Sequence, residues 1–221
     1  MTNIFDYLKN NSYPGRGLLV GEHAGKTVIA YFIMGRSVNS RNRIFAKKDD
    51  VIYTKPFDES KVADPSLIIY NAIREYEGTT IVTNGDQTDT VYDYLSQHKS
   101  FTEALDTREY EPDSPNYTPR ISAIIDDKSY DIAILKRIDE ECVREYRHYT
   151  RENNKGHFIS TYTHDGNPLP AFDGEPLEVE IDLPFRQFAD RLWRSLNPDN
   201  KVSLYVRFGD KEVIYNRNKE Q

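Results

Sequence analysis

The chain has a single cysteine, Cys142, in 221 residues. No internal disulfide can form, and no cysteine-built metal site is available, so a reducing compartment is the simpler setting. Cys142 stands among Glu140, Glu141 and Glu145. Their charge disfavours a thiolate and speaks against a catalytic thiol. His23, His98, His148, His157 and His164 show no close metal-ligand spacing, and a zinc enzyme is not expected. No apolar run approaches the length of a membrane span. The first residues, Met1-Thr-Asn-Ile-Phe-Asp-Tyr-Leu-Lys9, lack a basic segment followed by an apolar one. A cytoplasmic protein with no membrane partner is expected. Positive charge is also short: 29 Lys and Arg against 36 Asp and Glu give a net charge of −7. A nucleic-acid binder needs a basic face to meet phosphates, so no nucleic-acid partner is expected. Walker-type and dinucleotide-binding glycine patterns, repeats and low-complexity linkers are missing as well. The length fits one domain over residues 1–221, with residues 1–12 as an N-terminal arm.

What is present is a series of short apolar runs closed by turns. Ile4, Phe5 and Leu8 give the arm one apolar face. Leu18 to Val20 and Thr27 to Met34, joined at Glu22-His-Ala-Gly25, read as a hairpin. Val51 to Tyr53 is a short strand closed by Pro56, and Leu67 to Arg74 with Thr79 to Thr83 flank Glu77-Gly78 as a second hairpin. Asp86 and Asp89 mark a helix start before Val91, Tyr94 and Leu95, and Ser100 or Thr102 can cap a short helix through Leu105. Ile121 to Ile125 and Tyr130 to Leu135 form the clearest hairpin, while residues 140–150 fit strand and helix equally. His157 to Tyr162 reads as a strand, Pro184 to Leu196 as an amphipathic helix, and Val202 to Phe208 as a late strand. Hairpins imply antiparallel sheets, and helices set between blocks of strands imply an α+β fold.

One stretch departs from the acidic background. After Met34 the apolar run stops at Gly35, and Arg36, Ser37, Asn39, Ser40, Arg41, Asn42 and Arg43 follow. Guanidinium groups present a planar fork of donors that matches phosphate or carboxylate. Arg36 with Arg41 or Arg43 are therefore candidates for an anion clamp, with at least one of them expected to pair with a surface carboxylate instead. Arg16, between Gly15 and Gly17, is a further candidate, because glycine lets backbone approach a ligand closely. Asn84-Gly85 closes an apolar strand with an amide, either as a donor aimed at a carbonyl or as an ordinary turn. Tyr70 and Asn71 interrupt an apolar run, and Tyr70 has the alternative of a core role with a satisfied hydroxyl.

Five segments, in order over roughly residues 13 to 180, resemble the stand-alone, archaeal-type IMP cyclohydrolase family. They are Tyr13-Pro-Gly-Arg-Gly-Leu-Leu-Val-Gly21, Arg36 to Arg43, Tyr70-Asn71 followed by Thr83-Asn-Gly-Asp-Gln-Thr-Asp89, Tyr110-Glu-Pro-Asp-Ser-Pro-Asn-Tyr-Thr-Pro-Arg-Ile121, and Gly156 to Tyr162 with Gly166-Asn-Pro-Leu-Pro170 and Gly174-Glu-Pro176. That resemblance implies an enzyme closing the purine ring of 5-formamidoimidazole-4-carboxamide ribonucleotide to IMP with loss of water. It implies a four-layer αββα sandwich of mainly antiparallel sheets, similar to the N-terminal-nucleophile hydrolases but without their self-processing, and self-association into a homo-oligomer. No cofactor is implied, since both reacting groups sit on one molecule. The implied catalytic residues are Glu111 for proton transfer, Tyr70 as its helper and Arg36. The implied substrate-binding residues are Arg16, Arg36, Ser37, Arg41, Arg43, Asn71, Asn84, Gly85 and Arg120. Two other readings stand beside this one. The first is a purine-nucleotide-binding protein of the same fold without ring-closing activity. The second is an amidohydrolase using Thr2, which its position before a helix-like arm disfavours.

Overall fold

A computed structural model describes residues 1–62 and 68–218. In chain order its elements are α1 (Ile4–Lys9), β1 (Gly17–His23), β2 (Lys26–Met34), α2 (Val38–Arg41), β3 (Arg43–Lys48), β4 (Val51–Pro56), β5 (Asn71–Tyr76), β6 (Thr79–Thr83), α3 (Gln87–Ser96), α4 (Phe101–Asp106), β7 (Arg120–Ile125), β8 (Ser129–Ile138), β9 (Glu141–Thr150), β10 (Lys155–Ser160), β11 (Leu177–Glu180), α5 (Phe185–Ser195), β12 (Lys201–Phe208) and β13 (Lys211–Asn216). The strands form two sheets, ordered β11-β10-β1-β2-β12-β13 and β3-β4-β5-β6-β7-β8-β9. Every pair of neighbours within them is antiparallel. This is an α+β protein with two antiparallel sheets and few helices.

Alternation of side chains along each strand places the sheets face to face. On β1, Leu18 and Val20 join Ile29, Tyr31 and Ile33 of β2 in a core shared with Ile73, Val82, Ile121, Ala123 and Ile132 of the second sheet. The intervening residues Leu19, Val28, Ala30 and Phe32 turn the other way, into a core with Ile4, Phe5 and Leu8 of α1 and Phe188 and Leu192 of α5. On the far side, Val91 of α3 and Phe101, Ala104 and Leu105 of α4 pack on Ile81, Ala133 and Leu135. Period-two alternation in strands buried on both faces therefore builds three cores from one set of runs. Of the two capping candidates, Ser100 and Thr102, it is Ser100 that caps α4, in a reciprocal box with Glu103.

Three strands, β3, β11 and β13, have no counterpart in the sequence analysis, and a fourth, β9, is decided only by the structure; all four are sheet edges. β3 begins at Arg43, inside the polar loop, where one turn of helix (α2) reverses the chain. β9 is the 140–150 segment that fitted both periodicities. It is an edge strand with charged residues on both faces, and it is held in register with β8 through Asp139 and Glu140, both at positive φ. β13 is also an edge strand and alternates weakly. In the 67–74 run, Leu67 lies outside the described residues, and the strand itself starts only at Asn71. Just before it, the Tyr70 N–H donates to Thr54 Oγ1, a side chain standing in for a ladder partner. Among the described residues no helix is long and apolar enough to cross a membrane.

Candidate active site

At one end of the sandwich lies a cavity of about 370 Å³. It opens among the start of β1, the end of β2, the loop to β3, the 111–118 segment and the chain after β10. Its lining includes Tyr13, Arg16, Arg36, Ser37, Asn39, Arg43, Glu111, Asp113, Thr118 and Tyr162. Gly15, at the rim, has φ +81°, and a Cβ there would stand 2.2 Å from Thr161 Oγ1. No other residue fits both that conformation and that space.

Three guanidinium groups face two carboxylates in this lining. Arg16 Nη2 lies 3.2 Å from Glu111 Oε2, with both residues buried. Burial opposes the Arg16 charge, but Glu111 and the Tyr162, Tyr70 and Tyr13 hydroxyls more than offset it, and its pKa lies well above the ordinary value. Burial pushes the Glu111 carboxyl up, against the pull of Arg16 and Arg120. Arg43 is 1% exposed. Its Nε donates to the Ser40 carbonyl and its Nη2 to the Met34 carbonyl, at 2.8 and 3.3 Å. Among the described residues no carboxylate pairs with it. Burial, with the like charge of Arg16, lowers its pKa.

Four buried side-chain polar atoms lack a hydrogen-bond partner among the described residues: Arg16 Nε, Asn39 Oδ1, Arg43 Nη1 and Arg151 Nε. Three of the four belong to residues lining this one cavity. Buried donors are nearly always paired, and an orphan in a native structure marks strain or a missing ligand. Two of the three are guanidinium nitrogens, on Arg16 and Arg43, in a lining that carries three guanidinium groups against two carboxylates. A larger groove of about 830 Å³ between β3, β13 and α5 holds none of these atoms.

Of the residues put forward from the sequence, Arg16, Arg36, Ser37, Arg43 and Glu111 come together here. Arg36 meets the surface carboxylate the sequence reading anticipated for one arginine: its Nη1 lies 2.7 Å from Asp165 Oδ1 and 2.9 Å from the Gly166 carbonyl, and its guanidinium sits over the Tyr13 ring. Tyr70 stands outside the lining. Its hydroxyl shares a 2.7 Å hydrogen bond with Tyr31, which is the core alternative.

Five of the expected substrate contacts lie outside the lining, each with structural work instead. Arg41 turns back to the Gly35 carbonyl and Asn200. Asn71 donates to Asp89, which also pairs with Arg74. Asn84, fully buried, donates to the Pro119 carbonyl and accepts from the Ile121 N–H and Gln87. It ties down Pro119 and Ile121, where the chain leaves the 111–118 segment, and is not itself part of the cavity lining. Gly85 leaves room for Arg120, whose Nη1 would stand 2.6 Å from a Cβ there. Arg120 binds the Glu109 carbonyl, Asp86 and Gln87, and touches Glu111 only through its charge. Thr2 pairs with Val179 at the sheet edge, away from the cavity lining.

The sequence reading passed over Tyr13, Asn39, Asp113, Thr118 and Tyr162 as lining residues. All five lie within the segments that carry the resemblance, but as turn, strand-end or solvated-loop residues they give no signal of facing a ligand.

Comparison with known proteins gives the chain a family. A family model described as IMP cyclohydrolase-like protein matches residues 13–213. The chain belongs to that family. It is 31% identical to the IMP cyclohydrolase of Methanopyrus kandleri over 80% of this chain and 90% of the relative. It is 29% identical to that of Methanocaldococcus jannaschii, over 80% and 88%. Against that of Methanococcus aeolicus it is 27% identical, over 68% and 74%. Every lining residue lies within the span the family model matches.

Proposed function

We propose that this chain is an IMP cyclohydrolase, closing the purine ring of 5-formamidoimidazole-4-carboxamide ribonucleotide to give IMP and water. The observation that carries the reading is the pair of orphaned guanidinium nitrogens, on Arg16 and Arg43, in a cavity that also holds a buried carboxyl with a raised pKa. A nucleotide supplies what the site lacks: an anion for Arg43 and Arg16, and amide N–H groups for acceptors such as Glu111. The name carried by the relatives supports the same reaction.

In the reaction the carboxamide nitrogen attacks the formyl carbon. A nitrogen–carbon bond forms, and the formyl oxygen leaves as water, taking one proton from each of the two nitrogens. Nucleophile and electrophile sit on one molecule, so holding them in a near-attack geometry supplies much of the acceleration. Glu111 moves protons, its raised pKa bringing it closer to the working pH than an ordinary carboxyl. Arg16 keeps Glu111 in place and, with Arg36, donates to oxygen that gains charge. Arg43 holds the phosphate. On this reading the two sheets with helices on their outer faces form the αββα sandwich of the N-terminal-nucleophile hydrolases without the self-processing nucleophile, in a cytoplasmic, self-associating enzyme.

The test is incubation of the purified protein with the formamido ribonucleotide, following IMP. Binding without turnover would leave a nucleotide-binding protein of the same fold.

A further inference from the structure

A chain of hydroxyl groups runs through the cavity wall from Tyr162 to Asp113. Tyr162 Oη lies 2.5 Å from Thr118 Oγ1. Thr118 Oγ1 lies 2.5 Å from Asp113 Oδ2, and the Thr118 N–H donates to Asp113 Oδ1 at 2.6 Å. All three residues line the cavity; Tyr162 and Thr118 are buried and Asp113 is half-buried.

The direction of this chain follows from counting protons. A carboxylate accepts only, and a threonine hydroxyl carries one proton. Thr118 spends that proton on Asp113, so toward Tyr162 it must accept. The Tyr162 proton is therefore committed to Thr118, and its oxygen keeps lone pairs free. Burial pushes the Tyr162 pKa up to about 12, so the phenol stays neutral. Tyr162 is thus a neutral group presented with acceptor polarity, fixed by a carboxylate two hydrogen bonds away.

The ring closure must bring two protons to one oxygen, and Glu111 is one carboxyl. We infer that Tyr162 accepts an N–H of the reacting amide and that Thr118 and Asp113 relay its proton, giving the site a second proton-handling group. The inference rests on the ring-closing reading. As the nitrogen–carbon bond forms, the amide proton passes to Tyr162 Oη, the Tyr162 proton to Thr118 Oγ1, and the Thr118 proton to Asp113 Oδ2. The nitrogen keeps the electron pair for the new bond. The proton returns along the same three oxygens to the formyl oxygen, which leaves as water. Tyr162 is the catalytic residue here, and Thr118 and Asp113 are positioning residues.

The variants are Thr118→Val, which cuts the relay, Thr118→Ser, which keeps the hydroxyl, and Tyr162→Phe, which removes the acceptor. With the formamido ribonucleotide, Thr118→Val and Tyr162→Phe should each lower kcat by about a hundredfold, in the range general acid–base catalysis supplies, with KM little changed. Thr118→Ser should restore turnover to within a few-fold. Because the chain acts as a unit, the double variant Thr118→Val/Tyr162→Phe should be no slower than either single one. The solvent deuterium effect on kcat should show a curved proton inventory in the wild type and lose that curvature in Thr118→Val. If Thr118→Val fails to fold, Tyr162→Phe alone carries the comparison, since it removes only an oxygen. Wild-type turnover with an unimpaired Tyr162→Phe, or Thr118→Ser as slow as a folded Thr118→Val, overturns the relay alone. A wild type that binds the substrate and forms no IMP overturns the ring-closing reading, and the relay with it.

Discussion

Arg16 holds Glu111 through one nitrogen, Nη2, which lies 3.2 and 3.3 Å from the two carboxylate oxygens and leaves the buried Nε without a partner. A fork-to-fork pair through Nε and Nη2 would have engaged Nε as well. The arrangement instead orients the carboxylate with one arm of the guanidinium and keeps a donor in reserve. Arg16→Lys retains the charge beside Glu111 but not the planar fork. A charge-assisted hydrogen bond contributes about 1.5–3 kcal/mol, so IMP affinity should fall about tenfold or more. Titration calorimetry reads this directly, and an unchanged dissociation constant would remove Arg16 from the binding site.

Glu111 sets the pH dependence. Burial raises its pKa, so the protonated form persists above the ordinary carboxyl range. If the carboxylate is the active form, kcat/KM rises with pH through that displaced value; if the acid is, it falls there. In either case the limb lies above the reference value of 4.5. Glu111→Gln should abolish it and lower kcat by about 10²–10⁴-fold while IMP still binds. A profile for the Gln variant that keeps the limb would assign it to another group.

How far the sequence discloses this molecule differs between fold and site. Apolar runs flanked by turns locate β1, β2, β6, β7, β8 and β12, because strands buried on both faces read as near-continuous hydrophobic runs. β9 and β13 are edge strands, whose exposed or half-exposed residues carry charge and blur the alternation. At the site, composition points to Arg36 to Arg43, but not to which arginine turns inward. Arg41 and Arg43 are two residues apart, and only the one turn of α2 between Ser37 and Asn42 decides that Arg43 enters the cavity while Arg41 binds Asn200. Asn84 looks like a ligand contact because a buried amide serves a backbone segment and a substrate carbonyl with the same geometry. Tyr162 and Thr118 gain their polarity from Asp113 only in three dimensions.

Asn216 closes the edge between the sheets. Its Nδ2 donates to the Phe45 carbonyl at 2.9 Å, and its Oδ1 accepts the Phe45 N–H at 2.9 Å, as a neighbouring strand would do. Asn216→Ala strands those two groups, of which the N–H keeps only a 3.3 Å contact to Ser203. Leaving a buried group unsatisfied costs about 1–3 kcal/mol, so the denaturation midpoint should fall with the slope unchanged. Urea unfolding followed by fluorescence tests it, and a midpoint equal to wild type would show that Ser203 and water suffice.

Arg43 and Arg36 should differ in what they contribute to ligand binding. Arg36 is partly exposed and already paired with Asp165, so a phosphate must displace or share that partner, and Arg36→Ala should cost less than tenfold in affinity and depend on salt. Arg43 is buried with Nη1 unpaired, so an incoming anion meets a guanidinium with no competitor. Arg43→Met keeps the apolar stem and removes the charge, and IMP should bind at least tenfold more weakly. Ligand-induced stabilisation reads the difference. At a concentration of IMP a hundred times the wild-type dissociation constant, the wild type gains about 2.7 kcal/mol, and a variant tenfold weaker gains about 1.4 kcal/mol. Thermal shifts with inosine, which has no phosphate, should be the same for both proteins. If Arg43→Met loses as much stabilisation with inosine as with IMP, Arg43 acts on the base or ribose, and the phosphate must be held by Arg36 or Arg16.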